Sequence, residues 1–590
     1  MYARVIPIRR LPAELKYFDY SVPADMSAII KAGDLVQIPF RASKIWGVVW
    51  QLTDQTDEKS VKPIELLTDQ GLTGEQFQLL ECLHQNYYLP LSLLIRWLIY
   101  TQPLKIHQLR LSQPAAAKKE ETKSLGQSIS HGWLIYQRFK DLKQYLAVFV
   151  KPTSKGQTLI LVPEHYLSWE LQKIWPNALI MPARSQKNFF WQAWQKSSTA
   201  PIIIGNIQAA FLPFSKLKQI IVIEAENPQF NQPEQSPRLH LADLIEPLEK
   251  IYRCSILLTS QSPTVELIHL SKRLNYPTKQ LKAAEPATYQ IVDKQDERAK
   301  KNFSLLSEAA EDTIQRTKGK ILLYLNQLGY NRLTVCSDCG WQARCPNCHN
   351  ALIEPIENSD LVCWNCKRTS IKPLTCPICH GARLRNRLAG LEQLAKEVSR
   401  LFPDKNIAVI DKLTSDNGQA ADIVLATSTI LSRPMDFELT VMINTDLDLS
   451  QPDFQAAQNL RRQILKLRAN CRQLIVQTSY PEHYIFSSLD SIEKFYTAEM
   501  DWRKQFDYPP IVESIAWHIK ATDENNLVYI VKLLKTLFLV DKIAGFSQQS
   551  KEKTTGRLIL RGLPEQAIID NIPLDIINKI SIECNPYDWQ

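Results

Sequence analysis

Short apolar runs separated by amphipathic stretches fill the region from residue 131 to about residue 290 of this 590-residue chain. Each run has about the length of one strand, and uninterrupted apolar runs of this kind are typical of parallel strands buried on both faces. The pattern therefore predicts an α/β domain. The runs are Trp133–Tyr136, Thr158–Val162, Ile202–Gly205, Ile220–Ile223 and Ser255–Leu258.

A second series of apolar runs predicts another α/β domain, which a cysteine-rich segment interrupts. The series begins at Lys320–Leu325 and resumes at Ile407–Ile410, Ile423–Ala426 and Val441–Asn444. Because the cysteines lie between the first run and the others, we predict a module inserted into the second domain. From about residue 486 onward, the mixed pattern indicates a further α+β domain.

The N-terminal region alternates apolar and polar positions, as half-buried strands do, and therefore predicts a small β-rich domain. Helical periodicity follows over residues 74–88, and a polar, weakly hydrophobic stretch then predicts a linker. The predicted organisation is an N-terminal domain (1–103), a linker (104–130), a first α/β lobe (131–295), a second α/β lobe (296–335 and 385–485), a cysteine module (336–384) and a C-terminal domain (486–590).

Composition and charge narrow the function classes. Hydrophobic residues make up 45% and charged residues 22%, which excludes a disordered or fibrous chain. No apolar run reaches the ~18 residues of a membrane helix, and no signal peptide is recognisable, so we expect a soluble cytoplasmic protein without a membrane partner. The net charge of +9 permits a nucleic-acid partner without requiring one. Only 17 glycines occur, where ordinary usage would give about 41, and this shortage argues against a phosphate-binding loop.

Four Cys-x-x-Cys pairs lie close together in the second half of the chain. One such step lets two thiolates bind the same tetrahedral ion, and two steps complete a closed four-cysteine site. The eight cysteines therefore predict two structural Zn²⁺ ions. Disulfides, iron–sulfur sites and redox pairs are the alternatives; disulfides are disfavoured in a cytosolic chain, and iron–sulfur sites rarely use four such steps. The pairs are Cys336/Cys339, Cys345/Cys348, Cys363/Cys366 and Cys376/Cys379.

This cysteine pattern and an ordered series of motifs resemble the family of bacterial replication-restart helicases called PriA, or primosomal protein N-prime. The resemblance covers most of the chain. It implies two RecA-like helicase lobes with an inserted two-zinc, eight-cysteine module, an N-terminal β-rich DNA-binding domain and a C-terminal α+β domain. The segments that carry the resemblance are Phe18–Pro23, Gly33–Phe40, Gly205–Phe214, Asn326–Tyr330, Pro452–Phe454, Gln477–His483 and Tyr508–Pro510.

The resemblance also implies a pocket for a DNA 3′ end, formed by Phe18, Asp19, Tyr20, Gly33 and Lys62. Aromatic rings can stack on a terminal base. Asp19 can accept a hydrogen bond from a 3′-hydroxyl, and Lys62 can contact the adjacent phosphate. The alternative for Phe18 and Tyr20 is the domain core, because alternate residues of a strand share one face, whereas Asp19 points the other way.

For the cysteines, the resemblance implies a nested arrangement of the two zinc sites. The outer pairs, Cys336/Cys339 and Cys376/Cys379, would hold one ion, and the inner pairs, Cys345/Cys348 and Cys363/Cys366, would hold the other.

The motifs for ATP hydrolysis are the part of the family pattern that the chain lacks. Directly after Tyr136, residues 137–141 contain no glycine and no Lys-Ser/Thr pair to hold phosphates and Mg²⁺. Ala225 stands between Glu224 and Glu226 in the place of the family's activating Glu and cannot orient water. The Gly-Arg-Ala-Gly-Arg box is also missing, so we expect neither ATP nor Mg²⁺ as a cofactor and no ATPase activity. The arginines left in that region fit an amphipathic helix better: Arg461, Arg462, Arg468 and Arg472.

These observations favour a binding protein over an enzyme. Its expected partners are DNA, as forks, 3′ ends and single strands, together with primosome proteins and single-strand-binding protein by resemblance. A DNA replication restart factor of this kind would recognise branched or stalled forks, help to assemble the primosome and associate with the nucleoid. Two alternatives stay open at this point: a working ATP-dependent 3′–5′ DNA helicase with a nonstandard ATP site, and a zinc scaffold that binds protein or RNA.

Overall fold

The structure is a computed structural model. It describes residues 1–9, 17–56, 58, 60–87, 91–98, 131–152, 156–182, 187–231, 238–281, 287–326, 332–339, 341, 343–346, 352–354, 360–363, 368–387, 391–410, 420–433, 435–451, 453–537, 543–550, 554–562, 572, 573, 576 and 579–584. The predicted linker lies outside these ranges. No helix within them is both long enough and apolar enough to cross a membrane.

The N-terminal domain is a small sheet followed by two helices. Its elements are β1 (Tyr2–Pro7), β2 (Phe18–Ser21), β3 (Asp34–Phe40), β4 (Ser43–Thr53), β5 (Leu66–Gly71), α1 (Gly74–Tyr87) and α2 (Leu91–Leu98). The strands pair antiparallel in the order β2-β1-β4-β3-β5. The segment before β5 returns to β2, because Ser21 N donates to the Lys62 carbonyl and Ile64 N donates to the Ser21 carbonyl, each at 3.0 Å. Lys62 therefore lies beside the edge strand.

Helix α1 joins this domain to the first lobe. Leu79, Leu80 and Leu83 are spaced to share one helix face, and they lie in the same hydrophobic core as Phe211 of the lobe. The fully buried Gln76 adds a hydrogen bond from its Nε2 to the Phe211 carbonyl at 2.7 Å. The N-terminal domain and the first lobe therefore share one core.

The first lobe is a parallel sheet with helices on both faces. Its elements are β6 (Gly132–Ile135), α3 (Phe139–Phe149), β7 (Gln157–Leu161), α4 (His165–Gln172), β8 (Leu179–Ile180), α5 (Lys187–Lys196), β9 (Ile202–Gly205), β10 (Leu217–Val222), α6 (Leu241–Tyr252), β11 (Ser255–Ser260), α7 (Val265–Arg273) and β12 (Thr278–Gln280). The order is β12-β6-β11-β10-β7-β9-β8. Alternate side chains of these strands enter two different cores, which explains their continuous apolar sequence.

The second lobe is also a parallel sheet. Its strands are β13 (Thr288–Asp293), β14 (Ile321–Tyr324), β20 (Ile407–Ile410), β21 (Ile423–Ala426), β22 (Phe437–Met442) and β23 (Cys471–Thr478), with β15–β19 in the inserted module. Its helices are α8 (Lys294–Ala299), α9 (Glu308–Arg316), α10 (Leu391–Leu401), α11 (Asp446–Leu449), α12 (Ala456–Ala469), α13 (Tyr484–Ser487) and α14 (Ile492–Gln505). The order is β13-β23-β22-β14-β21-β20.

Two predicted boundaries need correction. Strand β13 pairs in parallel with β23 of the second lobe along its whole length. The second lobe therefore begins before Thr288 rather than after residue 295. The apolar pattern could not reveal this, because β13 finds its partner about 180 residues further along the chain. The predicted start of the C-terminal domain at residue 486 is also too early, because Phe486, Phe495 and Met500 lie in the hydrophobic core of the second lobe. The remaining domain bounds stay predictions.

The inserted cysteine module is a small antiparallel sheet that leaves the second lobe after β14 and returns before α10. Its strands are β15 (Arg332–Cys336), β16 (Leu352–Glu354), β17 (Leu361–Cys363), β18 (Thr369–Ser370) and β19 (Leu384–Arg387), in the order β18-β17-β16-β15-β19. The first and last strands of the insertion pair with each other, so the chain enters and leaves the module side by side. The predicted α/β class with an inserted module is confirmed.

The C-terminal domain is a four-stranded antiparallel sheet with one described helix. Its elements are β24 (Ser514–Lys520), α15 (Glu524–Leu537), β25 (Ile543–Ser550), β26 (Thr555–Arg561) and β27 (Ile580–Cys584), in the sheet order β25-β26-β24-β27. Glu583 is buried, and its carboxylate lies 2.7 Å from His518 Nε2 and 3.4 Å from Nε2 of His240, which belongs to the first lobe. A buried polar contact therefore joins this domain to the first lobe.

Candidate functional sites

Four of the eight predicted metal ligands meet at the base of the cysteine module. Cys336, Cys339, Cys376 and Cys379 bring their sulfur atoms within 4.8 Å of one another. The Cys336–Cys379 and Cys339–Cys376 sulfur pairs are each 3.6 Å apart. Zn–S bonds of ~2.3 Å place tetrahedral ligands about 3.8 Å apart, so this group fits one Zn²⁺ ion. None of these four cysteines forms a disulfide.

The loops around these cysteines explain the geometry. Cys376 Sγ accepts a hydrogen bond from Ile378 N at 3.4 Å, and the Cys376 carbonyl accepts one from His380 N at 2.9 Å. A Cβ atom on Gly381 would lie 2.3 Å from Asp338 Oδ2, so a larger residue there would displace the Asp338 carboxylate. The described residues contain no other group of histidine, cysteine and acidic side chains close enough to share an ion.

The second predicted zinc site lies largely outside the described residues. Cys348 and Cys366 are not described, and Cys363 is described only as the last residue of β17. Cys345 is buried in the small core of the module beside Leu352. The second Zn²⁺ ion therefore stays a prediction.

The N-terminal residues of the predicted DNA pocket divide between core and edge. Tyr20 is 5% exposed, its hydroxyl donates to the Pro39 carbonyl at 3.1 Å, and burial raises its pKa to about 12. Phe18 is half-buried against Phe40, with ring centroids 5.4 Å apart. Tyr20 therefore belongs to the domain core, as the alternative interpretation predicted, and Phe18 lies at the margin of that core.

Asp19 points to the opposite face of β2, as its position in the strand predicts. Its Oδ2 accepts a hydrogen bond from Thr56 Oγ1 at 2.6 Å, and Arg4 Nε lies 3.7 Å from Oδ1. Within the described part of the chain, Oδ1 accepts no hydrogen bond. The carboxylate is therefore oriented by two neighbours and keeps one buried acceptor unused.

Lys62 and Gly33 occupy different parts of the sheet. Lys62 is exposed beside β2, whereas Gly33 precedes β3, three strands away. Gly33 has a φ of +96°, and a Cβ there would lie 2.8 Å from the Leu72 carbonyl oxygen. The backbone alone therefore requires glycine at this position. The structure brings Phe18, Asp19 and Lys62 to one edge of the domain.

The first lobe has no room for a phosphate-binding loop at the end of β6. Only Tyr136, Gln137 and Arg138 join β6 to α3, whereas such a loop spans about six residues between strand and helix. Tyr136 is buried. The cavity next to this turn has a volume of about 70 Å³, well below the ~300 Å³ at which ligand pockets usually begin.

The two acidic residues that follow β10, Glu224 and Glu226, accept hydrogen bonds from other groups of the protein. Glu224 accepts hydrogen bonds from Asn227 Nδ2 at 3.0 Å and from Lys466 Nζ of the second lobe at 2.7 Å. The small apolar side chain of Ala225 is buried. Glu226 accepts a hydrogen bond from Gln261 N at 3.1 Å, and burial, together with the charge of Glu224, raises its pKa. Both carboxylates are buried among groups of the protein.

The arginines that replace the family's arginine box lie on and just after one helix, α12, as predicted. Arg461 Nη1 donates to Ser262 Oγ of the first lobe at 2.9 Å. Arg468 Nη1 pairs with Asp490 at 2.5 Å, and its Nε donates to the Ala287 carbonyl. These side chains join parts of the protein to one another.

Sequence reasoning missed Lys466 and Glu266, two residues that link the lobes. Lys466 lies in a helix whose other basic residues were considered, yet its partner is 242 positions away. Glu266 sits in the first turn of α7, where acidic residues are common. Neither residue carries a local signal that could have revealed its role.

The sequence comparisons match the replication restart protein PriA. The family model of the 3′DNA-binding domain (3′BD) of PriA matches residues 8–99. The replication restart protein PriA of Rickettsia conorii is 24% identical over 591 residues, covering 90% of this chain and 89% of that protein. Its namesake from Borreliella burgdorferi is 26% identical, covering 63% of this chain but 61% of that protein's own length. A DEAD box protein of Methanococcus jannaschii has a similar structure with a TM-score of 0.32 at 12% identity, covering 62% of this chain and 87% of that one.

Proposed function

Because the chain belongs to the family of the replication restart protein PriA, we propose that it recognises branched or stalled replication forks through the DNA 3′ end and helps to assemble the primosome. The observation that carries the proposal is the edge of the domain that matches the 3′DNA-binding model. There, a half-buried ring, an oriented carboxylate with a buried, unused acceptor and an exposed lysine lie on or beside the edge strand β2, on Phe18, Asp19 and Lys62.

Each of the three groups has a partner in a DNA end. The ring of Phe18 can stack on the terminal base, Asp19 can accept the hydrogen bond of the 3′-hydroxyl, and Lys62 can neutralise the neighbouring phosphate. A 3′-phosphate would replace the donor with a negative charge beside Asp19. The proposed site therefore discriminates between these two ends.

The proposal includes the loss of the motor. The short turn after β6, the alanine at position 225 and the hydrogen bonds on Glu224 support a protein that binds DNA without hydrolysing ATP. The cysteine module, with one group of four cysteines fit for a Zn²⁺ ion, would hold its sheet together while single-strand-binding and primosome proteins contact the chain.

The test is binding to a three-way fork with a free leading-strand 3′-hydroxyl, compared with the same fork carrying a 3′-phosphate. Fluorescence anisotropy is measured without nucleotide at one fixed salt concentration, because phosphate contacts make the affinity salt-dependent. We expect the wild type to prefer the free 3′ end. Asp19→Asn keeps the acceptor for Thr56 but loses the charge. Because a charge-assisted hydrogen bond contributes ~1.5–3 kcal/mol, the variant should bind the free 3′ end about 10- to 150-fold more weakly.

The matched control is Asp25→Asn, which removes an exposed carboxylate of the same domain and should leave the preference unchanged. Equal, weak binding of both forks by the wild type would overturn fork recognition and favour a zinc scaffold for protein or RNA. A preference that persists in Asp19→Asn would show that this pocket is not the site.

A further inference from the structure

The two lobes contact each other through buried polar side chains where a helicase would hold its nucleotide. Lys466 on α12 of the second lobe donates to Glu224 of the first at 2.7 Å, with only 11% and 7% of the two side chains exposed. Ser262 and Arg461 make a second buried hydrogen bond across the same boundary. The ammonium group of Lys466 thus neutralises the carboxylate of Glu224.

A second cluster, centred on Glu266, ties the same surfaces together. Its carboxylate accepts hydrogen bonds from Gln455 Nε2 at 3.1 Å, Gln458 Nε2 at 3.2 Å and Arg503 Nη1 at 2.5 Å, all from the second lobe. Gln458 Oε1 accepts in return from Val265 N at 2.6 Å. Burial disfavours the charged form of Glu266. The positive charge of Arg503 and these hydrogen bonds outweigh the effect of burial, so the pKa of Glu266 is lowered.

Separating the lobes would break these contacts together. Lys466 and Glu224 would each lose their charged partner. Arg503 would keep Glu499, 2.9 Å away on its own helix, and the Pro509 carbonyl, 2.7 Å away, but would lose Glu266. Opening would exchange several charge-assisted hydrogen bonds between the lobes, which are the stronger kind of hydrogen bond, for contacts with water. The structure therefore opposes opening, and it does so with side chains alone.

We propose that Lys466–Glu224 and the Glu266 cluster lock the two lobes in one closed arrangement that nucleotide neither produces nor releases. A ligand shifts a conformational equilibrium only by its differential affinity for the two states, and here the closing contacts belong to the chain. This goes beyond the proposed function, because a protein that binds forks and hydrolyses no ATP could still open and close.

The test follows the distance between the lobes in the full-length chain. Ketone-bearing amino acids at positions 173 and 316, whose side chains are 70% and 81% exposed, carry the two dyes, so that the cysteines stay unlabelled. Single-molecule energy transfer is measured with and without the non-hydrolysable ATP analogue AMP-PNP and Mg²⁺. We expect one narrow population with the same efficiency under both conditions.

Three variants assign the lock to its residues. Lys466→Met leaves Glu224 buried without its cation and should raise the low-efficiency population about tenfold or more, the effect of a 1.4 kcal/mol change. Adding Glu224→Gln to it removes both charges and should restore the single population. Lys272→Met is the matched control, since Lys272 bridges to Glu493 across the same boundary with both side chains exposed, and exposed pairs contribute little.

Several results would overturn the proposal. A second wild-type population, or a shift on adding AMP-PNP, would show that the lobes move. A closed Lys466→Met variant would show that this contact is no lock, and an open double variant would point to general damage of the fold. If Lys466→Met does not fold, Glu224→Gln alone must open the lobes, because Lys466 then loses its acceptor charge.

Discussion

We expect the carboxyl group of Asp448 to make the stability of the second lobe depend on pH. Asp448 lies buried in α11, where Asn326 Nδ2 donates to its Oδ1 at 2.5 Å and Gln463 Nε2 donates to the same atom at 3.3 Å. Burial raises its pKa from the ordinary 3.8 to about 6, and the two hydrogen bonds only partly offset this. The folded protein therefore favours the protonated form.

The sign of the effect follows from proton linkage. Between pH 3.8 and about 6 the folded lobe binds more protons at Asp448 than the unfolded chain does, so stability falls as the pH rises through this window. Above pH 7 the ionised carboxylate costs on the order of 3 kcal/mol. Asp448→Asn keeps Oδ1 for both donors but carries no charge, so the variant should lack this loss.

The assay compares the melting temperatures of wild type and Asp448→Asn from pH 4 to pH 8. The difference should grow from near zero at pH 4 to about 6–12 °C in favour of the variant at pH 7.5, at ~2–4 °C per kcal/mol for a lobe of this size. Asp312→Asn removes an exposed carboxylate of the same lobe and should show no such trend. A difference independent of pH, or a variant less stable at pH 7.5, would refute the reasoning.

Two further predictions concern the motor and the metal. In a coupled ATPase assay, DNA should stimulate no phosphate release above that of a Glu224→Ala/Glu226→Ala variant, because the turn after β6 has no room for phosphates. A measurable ATPase rate in the wild type that disappears in this variant would contradict the prediction. When bound Zn²⁺ is counted, Cys376→Ser should lose one of two ions and Cys345→Ser the other, so the double variant should lose both. A double variant that loses no more zinc than either single variant would rule out the nested pairing.

Local features of the chain were predictable because each depends on neighbours in sequence. Thr158–Val162 and Ser255–Leu258 are continuous apolar runs, and each lies in a strand with both faces buried, β7 and β11. The Cys-x-x-Cys step sets the distance between its two thiolates within one turn of backbone. The absence of a phosphate-binding loop likewise needs only the residues that follow Tyr136.

Contacts between distant residues were decided by the tertiary structure alone. Tyr20 and Asp19 are adjacent in one strand, and alternation put them on opposite faces, yet only the folded sheet shows that Tyr20 reaches Pro39 while Asp19 meets Thr56. In the same way, β13 follows the first lobe in sequence but pairs in the second.

By itself, then, the sequence determined the two α/β lobes, the cysteine insertion and the missing ATP motifs, since periodicity and spacing are properties of short segments. Only the tertiary structure decided that Lys466 meets Glu224 and that Arg503 meets Glu266, across 242 and 237 positions. The reason is physical: a buried charge is tolerated only beside its partner, and which partner it meets depends on how separately formed elements pack, which no local pattern records.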